Sequence, residues 1–254
     1  TISPDMPFPA TACIVQDKLG ASQAAAYDLS AGCSGFIYAL DMANSCITSG
    51  AYHKVLVIGA DCLSKVTNFQ DRSTCVLFGD GAGACVLGAH FGPGGIEASQ
   101  LGSDGSGATK LMVRGGGSRH PVSPETIAAG WHFIEMDGND VFKFAVRIMA
   151  DSSLQVLGKA GLKPDDIRLF IPHQANTRII EAAAKRLKLR QEQVYINVQE
   201  YGNTSAGSIG IALDEVARSG QLQPGDRLLL VGFGAGLTWG SMIIQWCEGG
   251  SQEC

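Results

Sequence analysis

Short, continuous apolar runs alternate along the chain with longer stretches whose apolar residues recur at helical spacing. Residues 54–60 (KVLVIGA) have the unbroken apolar character of a strand covered on both faces. Residues 78–89 (FGDGAGACVLGA) read as a glycine-rich turn leading into a second strand. Two more strands are predicted at 227–231 and 237–246, separated by GFGAG, with shorter ones at 24–29, 167–171 and 194–198. Helical spacing places Phe36, Ile37, Leu40, Ala43 and Ile47 on one face, stopped at Gly50. A longer helix runs from Asn139 through Val141, Phe142, Ala145, Ile148, Met149, Val156 and Leu157 to Gly161. Asn176 is placed to cap a helix that buries Ile179, Ile180, Ala183 and Leu187. Residues 205–219 form a further helix closed by Gly220, and 8–19 a short one stopped by Gly20. Residues 91–132, rich in Gly, Ser and Pro, show little periodicity and read as a functional loop or excursion.

Strands alternating with helices argue an α/β architecture. Within it, one pattern occurs twice. SAGCSGFIYALDMA, then SG, then VLVIGAD is echoed by SAGSIGIALDEVA, SG and LLLVGFG, and FGDGAGACVLG by FGAGLTWGSMII. Each copy runs from a small-residue helix start through a helix and a Ser-Gly stop to an apolar strand, a glycine turn and a strand. The repeat predicts two similar α/β halves packed together. Residues 1–90 form the first half, 91–138 the excursion, 139–247 the second half, and 248–254 a disordered tail.

Composition narrows the function classes. With 254 residues, 45% of them hydrophobic and 17% charged, the chain can bury a large core. The formal net charge of −5 gives no general reason to expect nucleic-acid binding, and no apolar segment is long enough to cross a bilayer. The first residues carry no basic-then-apolar signal pattern. Cys13, Cys33, Cys46, Cys62, Cys75, Cys85, Cys247 and Cys254 form no CxxC pair and no close Cys/His cluster, so no metal site is expected. Scattered cysteines fit a reducing cytoplasm better than a disulfide scaffold.

One cysteine stands at a special place. Cys33 sits where a strand-like pattern gives way to a helix, among Ala31, Gly32, Ser34 and Gly35, which let other groups approach closely. A thiol at a helix start meets unpaired N–H groups, which favours the thiolate. Taken alone, a cysteine is more often a small buried hydrophobe. Two further polar residues occupy equivalent strand-to-helix junctions, where open α/β folds assemble sites: His173 in PHQANTR and Asn203 in YGNTSAGS. Cys, His and Asn suit two chemistries. In a papain-like hydrolase, histidine takes the thiol proton and asparagine orients the ring. In a condensing enzyme, the thiolate takes an acyl group, and His and Asn donate hydrogen bonds to a second thioester carbonyl as it becomes an enolate. The absence of a carboxylate beside His173 in sequence, and the apolar surroundings of Cys33, fit the second better.

Cys33 in AGCSGFIYAL, His173 in IPHQANTRII, Asn203 in GNTSAGS and the terminal GFGAGLTWGS together resemble the β-ketoacyl-acyl carrier protein synthase III family. The resemblance runs along essentially the whole chain, in order. It implies a thiolase-like fold of two duplicated halves layered α-β-α-β-α, and the reaction that starts type II fatty acid synthesis. Cys33 would be acylated by a short acyl-CoA, with acetyl-CoA expected. His173 and Asn203 would hold malonyl-acyl carrier protein as it decarboxylates, and the carbanion would attack acyl-Cys33 to give a 3-oxoacyl carrier protein. Backbone N–H groups of Cys33 and of Ala235, where the family often has glycine, would form the oxyanion hole.

The resemblance also assigns binding residues. Gln174, Ala175, Asn176, Thr177 and Arg178 match the segment that receives the carrier protein. Arg178, Lys185 and Arg186 recur near helical spacing and would add a positive face for that acidic partner. Arg72, Phe78, Asn139, Phe142 and Asn176 match positions lining the coenzyme A entrance. Phe8 matches an aromatic inserted across a homodimer interface into the partner's acyl pocket. Coenzyme A thioester enters as substrate, and no separate cofactor is implied. Family members carry an N-terminal block before the position matching Thr1, with an aromatic and basic pair that grips coenzyme A. The expectation is that the 254-residue chain alone aggregates or binds acyl-CoA poorly unless that block is supplied.

Overall fold

The computed structural model describes residues 1–247. Among the described residues eight strands are formed: β1 Lys54–Cys62, β2 Asp80–Gly88, β3 Gly95–Ser103, β4 Leu111–Val113, β5 Ile134–Met136, β6 Leu169–Pro172, β7 Arg227–Gly234 and β8 Thr238–Gln245. The same residues form seven α-helices: α1 Thr11–Lys18, α2 Gly35–Thr48, α3 Pro124–Ala128, α4 Gly138–Ala160, α5 Thr177–Leu187, α6 Val198–Tyr201 and α7 Gly207–Arg218. The largest sheet has the order β3-β8-β7-β6, with β6 and β7 parallel and the other pairs antiparallel. β1 and β2 pair antiparallel from Lys54 opposite Gly88 to Cys62 opposite Asp80, and β4 and β5 form a small ribbon.

The central strand β7 explains the layering. Its apolar run alternates faces, so Leu228 and Leu230 point one way while Leu229 and Val231 point the other, and all four are buried. The first pair joins Phe36, Ile37 and Leu40 of α2 and Ile209, Ala212 and Val216 of α7. The second pair joins Ile148 and Met149 of α4 and Ile179 and Ala183 of α5. The described residues therefore stack as β1–β2, then α2 with α7, then the four-stranded sheet, then α4 with α5. These are four of the five layers expected. The two halves touch backbone to backbone: a Cβ on Gly83 of β2 would lie 2.3 Å from the carbonyl carbon of Gly210 in α7. Only a pair of glycines permits that approach.

Several sequence expectations are corrected. β1 carries the same kind of apolar run as β7, yet only one face is covered: Val57 is buried, whereas Leu56 and Ile58 are 45% and 38% exposed. Continuous apolar character therefore did not guarantee burial on both sides. Residues 24–29 form no strand, because no neighbouring strand pairs with them among the described residues. Of 194–198, only Val194 bridges to Phe170, and Val198 opens the turn of α6. The excursion at 91–138 is more ordered than expected. It contains β3, which completes the edge of the second half's sheet, and α3, opened by a Ser123/Thr126 capping box. The tail expected at 248–254 lies outside the described residues.

Other expectations hold. α4 ends where Gly161 takes the left-handed conformation, at φ 68°. The Asn176 side chain accepts from the N–H of Ile179 at 3.0 Å, capping α5.

Candidate active site

Cys33 lies in a 3-10 turn, Gly32–Ser34, immediately before α2. The turn is pressed against the hairpin end of β7. A Cβ on Gly234 would lie 2.3 Å from the Cys33 nitrogen, and one on Gly32 2.8 Å from the Ala235 nitrogen. These close approaches, with Gly32 at φ 56°, account for the glycines of AGCSG and GFGAG. The hydroxyls of Ser34 and Thr238 bond each other at 2.8 Å and share the Ala31 carbonyl, locking turn to hairpin. Cys33 and Ala235 thus bring their backbone N–H groups into one corner.

His173 follows the last residue of β6, and its own N–H donates to Val231 at 2.7 Å. The ring is buried, edge-on to Phe233 with centroids 5.4 Å apart, and its Nδ1 lies 2.7 Å from the Ser208 hydroxyl. Among the described residues no carboxylate is hydrogen-bonded to the ring. Burial lowers its pKa to about 3, opposed by the charge of Asp61, so the imidazole is neutral at physiological pH.

Asn203 is held by its backbone in a parallel bridge with Phe78. Its N–H donates to Leu77 at 2.8 Å, and its carbonyl accepts from Gly79 at 2.9 Å. The side-chain oxygen accepts from the N–H of Ser205 at 2.9 Å. The amide NH₂ is therefore the part of Asn203 left to meet a ligand.

The three residues converge on shared neighbours. Buried Asp61, at the end of β1, accepts from the N–H of Ala206 at 3.2 Å, and from Thr1, Ile2 and Ser3 through its other oxygen. Its charge acts on both Cys33 and His173. Ser205, in the left-handed conformation at φ 49°, lies near enough to Cys33 to act on its thiol, although its buried hydroxyl makes no well-formed hydrogen bond among the described residues. Burial raises that thiol to about 11, Ser205 opposes the rise, and Asp61 adds to it. The resting thiol is thus protonated, which corrects the expectation that the helix start would favour the thiolate. Removal from water outweighs the nearby hydrogen-bonding groups that lower the thiol.

Binding residues separate into those that gather and those that do not. Phe142, Asn176, Thr177 and Arg178 line one pocket of about 360 Å³ with Leu77, the residue that receives the Asn203 N–H. Arg178 lies over the Phe142 ring, 5.5 Å from its centroid. Arg72 and Asn139 are exposed outside that pocket, and Phe8 is 83% exposed. Gln174 and Ala175 are buried, so they cannot form part of an outward docking surface as expected. Arg178, Lys185 and Arg186 are exposed on α5, with Arg186 paired to Asp151 at 3.1 Å. Sequence reasoning missed Asp61, Ser208 and Phe233 as members of the site. Each sits inside a quoted motif, but its role is fixed by a partner distant in the chain. Among the described residues no cluster of three His, Cys, Asp or Glu side chains could hold a metal ion.

Residues 27–105 match the family profile of 3-oxoacyl-[acyl-carrier-protein (ACP)] synthase III, and residues 157–246 that of its C-terminal part. The beta-ketoacyl-[acyl-carrier-protein] synthase III of Caldanaerobacter subterraneus is 57% identical over 248 residues, covering 98% of this chain and 75% of that protein. The one of Clostridioides difficile is 54% identical over 246 residues, covering 97% and 75%. The crystal structure of the Thermus thermophilus synthase III is similar with a TM-score of 0.89 at 47% identity, covering 97% of this chain and 75% of that one. The chain spans about three quarters of the length of these relatives.

Proposed function

The chain belongs to the 3-oxoacyl-[acyl-carrier-protein] synthase III family, a thiolase-fold family of condensing acyltransferases, and on that premise we propose how its own residues run the reaction. It condenses a short acyl-CoA, acetyl-CoA being the expected donor, with malonyl-acyl carrier protein. The product is a 3-oxoacyl carrier protein, the first condensation of type II fatty acid synthesis.

In the first half, the Cys33 sulfur attacks the acyl-CoA carbonyl. Backbone N–H groups of Cys33 and Ala235 stabilise the oxyanion. The C–S bond to coenzyme A then breaks, and the thiol proton of Cys33 ends on the departing sulfur. Burial of the thiol supports a step in which the proton leaves during attack rather than before it.

In the second half, the malonyl thioester carbonyl accepts from His173 Nε2–H and the Asn203 amide. The bond to the carboxylate breaks, carbon dioxide leaves, and its electron pair becomes the enolate. The enolate carbon attacks acyl-Cys33, a C–C bond forms, and the released thiolate takes up a proton. The observation that carries this reading is the pairing of each donor's other end. The Ser208 hydroxyl accepts from the Gln174 N–H at 3.4 Å, which leaves its own proton for Nδ1 and assigns the His173 proton to Nε2; with Ser205 N–H on Oδ1, Asn203 presents its NH₂. A papain-like arrangement would instead need the Asn203 oxygen on the ring, and that oxygen is occupied by Ser205.

Carrier protein docks along the exposed face of α5, where Thr177, Arg178 and Lys185 are exposed, beside half-buried Asn176. The pocket at Phe142 and Asn176 admits the coenzyme A or carrier arm, next to Phe78, whose backbone bridges to Asn203; Arg72 and Asn139, outside that pocket, would meet only the more distant part of coenzyme A. The enzyme is a homodimer that presents exposed Phe8 to the second copy. It works in the cytoplasm, in keeping with its free cysteines, and no helix among the described residues is long and apolar enough to cross a membrane.

Mixing the protein with acetyl-CoA and malonyl-acyl carrier protein tests the reading by its products. Carbon dioxide and 3-oxobutyryl carrier protein are expected. Release of free acetate from acetyl-CoA, with the malonyl thioester untouched, would instead identify a hydrolase.

A further inference from the structure

The loop that delivers Asn203 is tied by its backbone to residues 77–79 at its end, but before that few of its side chains are buried. α6 is a single four-residue turn with no buried side chain, and Gly202 follows it at φ 67°. Three hydrogen bonds from this loop converge on one carboxylate. Tyr195 Oη donates to Glu215 Oε2 at 2.9 Å, Asn197 Nδ2 to the same oxygen at 2.6 Å, and Tyr201 Oη to Oε1 at 2.5 Å. Glu215 lies on α7, two turns beyond the Ser208 that meets the His173 ring. Partial burial pushes its carboxyl up, but the three donors outweigh this and hold it below the usual range. The carboxylate is therefore ionised at neutral pH, where its hydrogen bonds are strongest.

The same loop is gripped from the opposite side by the neighbour of His173. Gln174 is 1% exposed; its Oε1 accepts from the N–H of Asn197 at 2.9 Å. Its Nε2 donates to the carbonyls of Pro172 at 2.9 Å and Tyr195 at 3.2 Å. Residues 195–201 are thus held between Gln174, next to His173, and Glu215. They run directly into Gly202 and Asn203.

We infer that Glu215 is a positioning residue for the condensation half-reaction: through Tyr195, Asn197 and Tyr201 it fixes where the Asn203 amide stands relative to His173. It touches no substrate. The inference rests on the reading of His173 and Asn203 as paired donors to the malonyl thioester. Acylation of Cys33 uses neither side chain, so a loosened Asn203 loop should slow one half of the cycle only. Loss of general stability would lower both halves together.

The test measures the halves separately in the same protein: acylation of Cys33 by acetyl-CoA, and decarboxylation of malonyl-acyl carrier protein. Glu215→Ala strands the buried Asn197 amide and lets the loop shift; roughly 10- to 100-fold loss of decarboxylation kcat is expected for a displacement near 1 Å. Acylation should stay within about 2-fold. Glu215→Gln keeps one acceptor oxygen for Asn197 and Tyr195, while the Tyr201 hydroxyl can turn to accept from the new amide. It should recover to within about 3-fold of the parent rate. Tyr201→Phe removes a single, exposed donor and should fold normally, with decarboxylation alone reduced. Equal loss in both halves for Glu215→Ala, no loss in either, or a Gln variant as poor as Ala would overturn the inference. Should Glu215→Ala fail to fold, an unaffected Tyr201→Phe overturns it. A parent protein that never decarboxylates the malonyl thioester would instead refute the underlying function, independently of Glu215.

Discussion

At the scale of single residues, the site works by deciding which end of each polar group is free. Ser208 is the sharpest example. Ser208→Ala removes the partner of His173 Nδ1 and lets the ring proton move off Nε2. Decarboxylation should fall by about 10- to 100-fold with acylation of Cys33 retained, measurable as separate half-reaction rates. Cys33 gives a pH prediction. Its thiol is raised to about 11, chiefly by burial, so alkylation by iodoacetamide should climb steadily from neutral pH to pH 10. A plateau near neutral pH would show that the helix start wins after all. His173 gives a stability prediction of the opposite kind. Its pKa is lowered from 6.5 to about 3 by burial, so between those values the unfolded chain binds a proton that the folded one does not. The stability this histidine supplies is complete above pH 6.5 and is lost as pH falls toward 3. Urea unfolding across that range should show a shallower decline for His173→Asn than for the parent.

At the scale of elements, what was legible in the sequence depended on whether the signal was local. α2, α4, α5 and α7 were readable because each has an apolar face at helical spacing and a glycine or Asn176 at an end. β7 and β8 were readable as apolar runs around a glycine turn. β3 was not, since its sequence GIEASQLGS lacks alternation and it is only partly buried at a sheet edge. The strands expected at 24–29 and 194–198 have the composition of strands but no full ladder partner, a fact that belongs to the tertiary fold. The same division applies to the site. Cys33, His173 and Asn203 stand at junctions that the repeat made visible, whereas Phe233, Asp61 and Glu215 matter through partners far away in sequence. The turn-to-hairpin contact makes one element-level prediction. Gly234→Ala would put a Cβ 2.3 Å from the Cys33 nitrogen, forcing the two turns apart. It should destabilise the fold by about 1–3 kcal/mol in urea unfolding and abolish acylation of Cys33.

At the scale of the whole molecule, the duplicated halves are not used alike. The second half builds a four-stranded sheet buried on both faces, while β1 and β2 leave Leu56, Ile58 and Val86 exposed. The groups proposed to react lie where the halves meet: Cys33 and Asp61 come from the first, and His173, Asn203 and Ala235 from the second. Charge is also uneven, since a chain of net charge −5 presents Arg178, Lys185 and Arg186 along one helix. Arg178→Glu with Lys185→Glu should raise the KM for malonyl-acyl carrier protein at least several-fold and reduce its salt dependence. The rate of Cys33 acylation at saturating acetyl-CoA should be unchanged.

The central claim is that Cys33 holds the acyl group while His173, with Asn203, governs only its consumption. Intact-protein mass spectrometry tests it directly, with acetyl-CoA added first and malonyl-acyl carrier protein second. The parent protein should gain one acetyl group on Cys33 and lose it in the second step as 3-oxobutyryl carrier protein appears. His173→Ala should gain the group and keep it, and Cys33→Ser should gain none. Acetylation that persists in Cys33→Ser, or a parent acyl group that is lost as free acetate, would contradict the account.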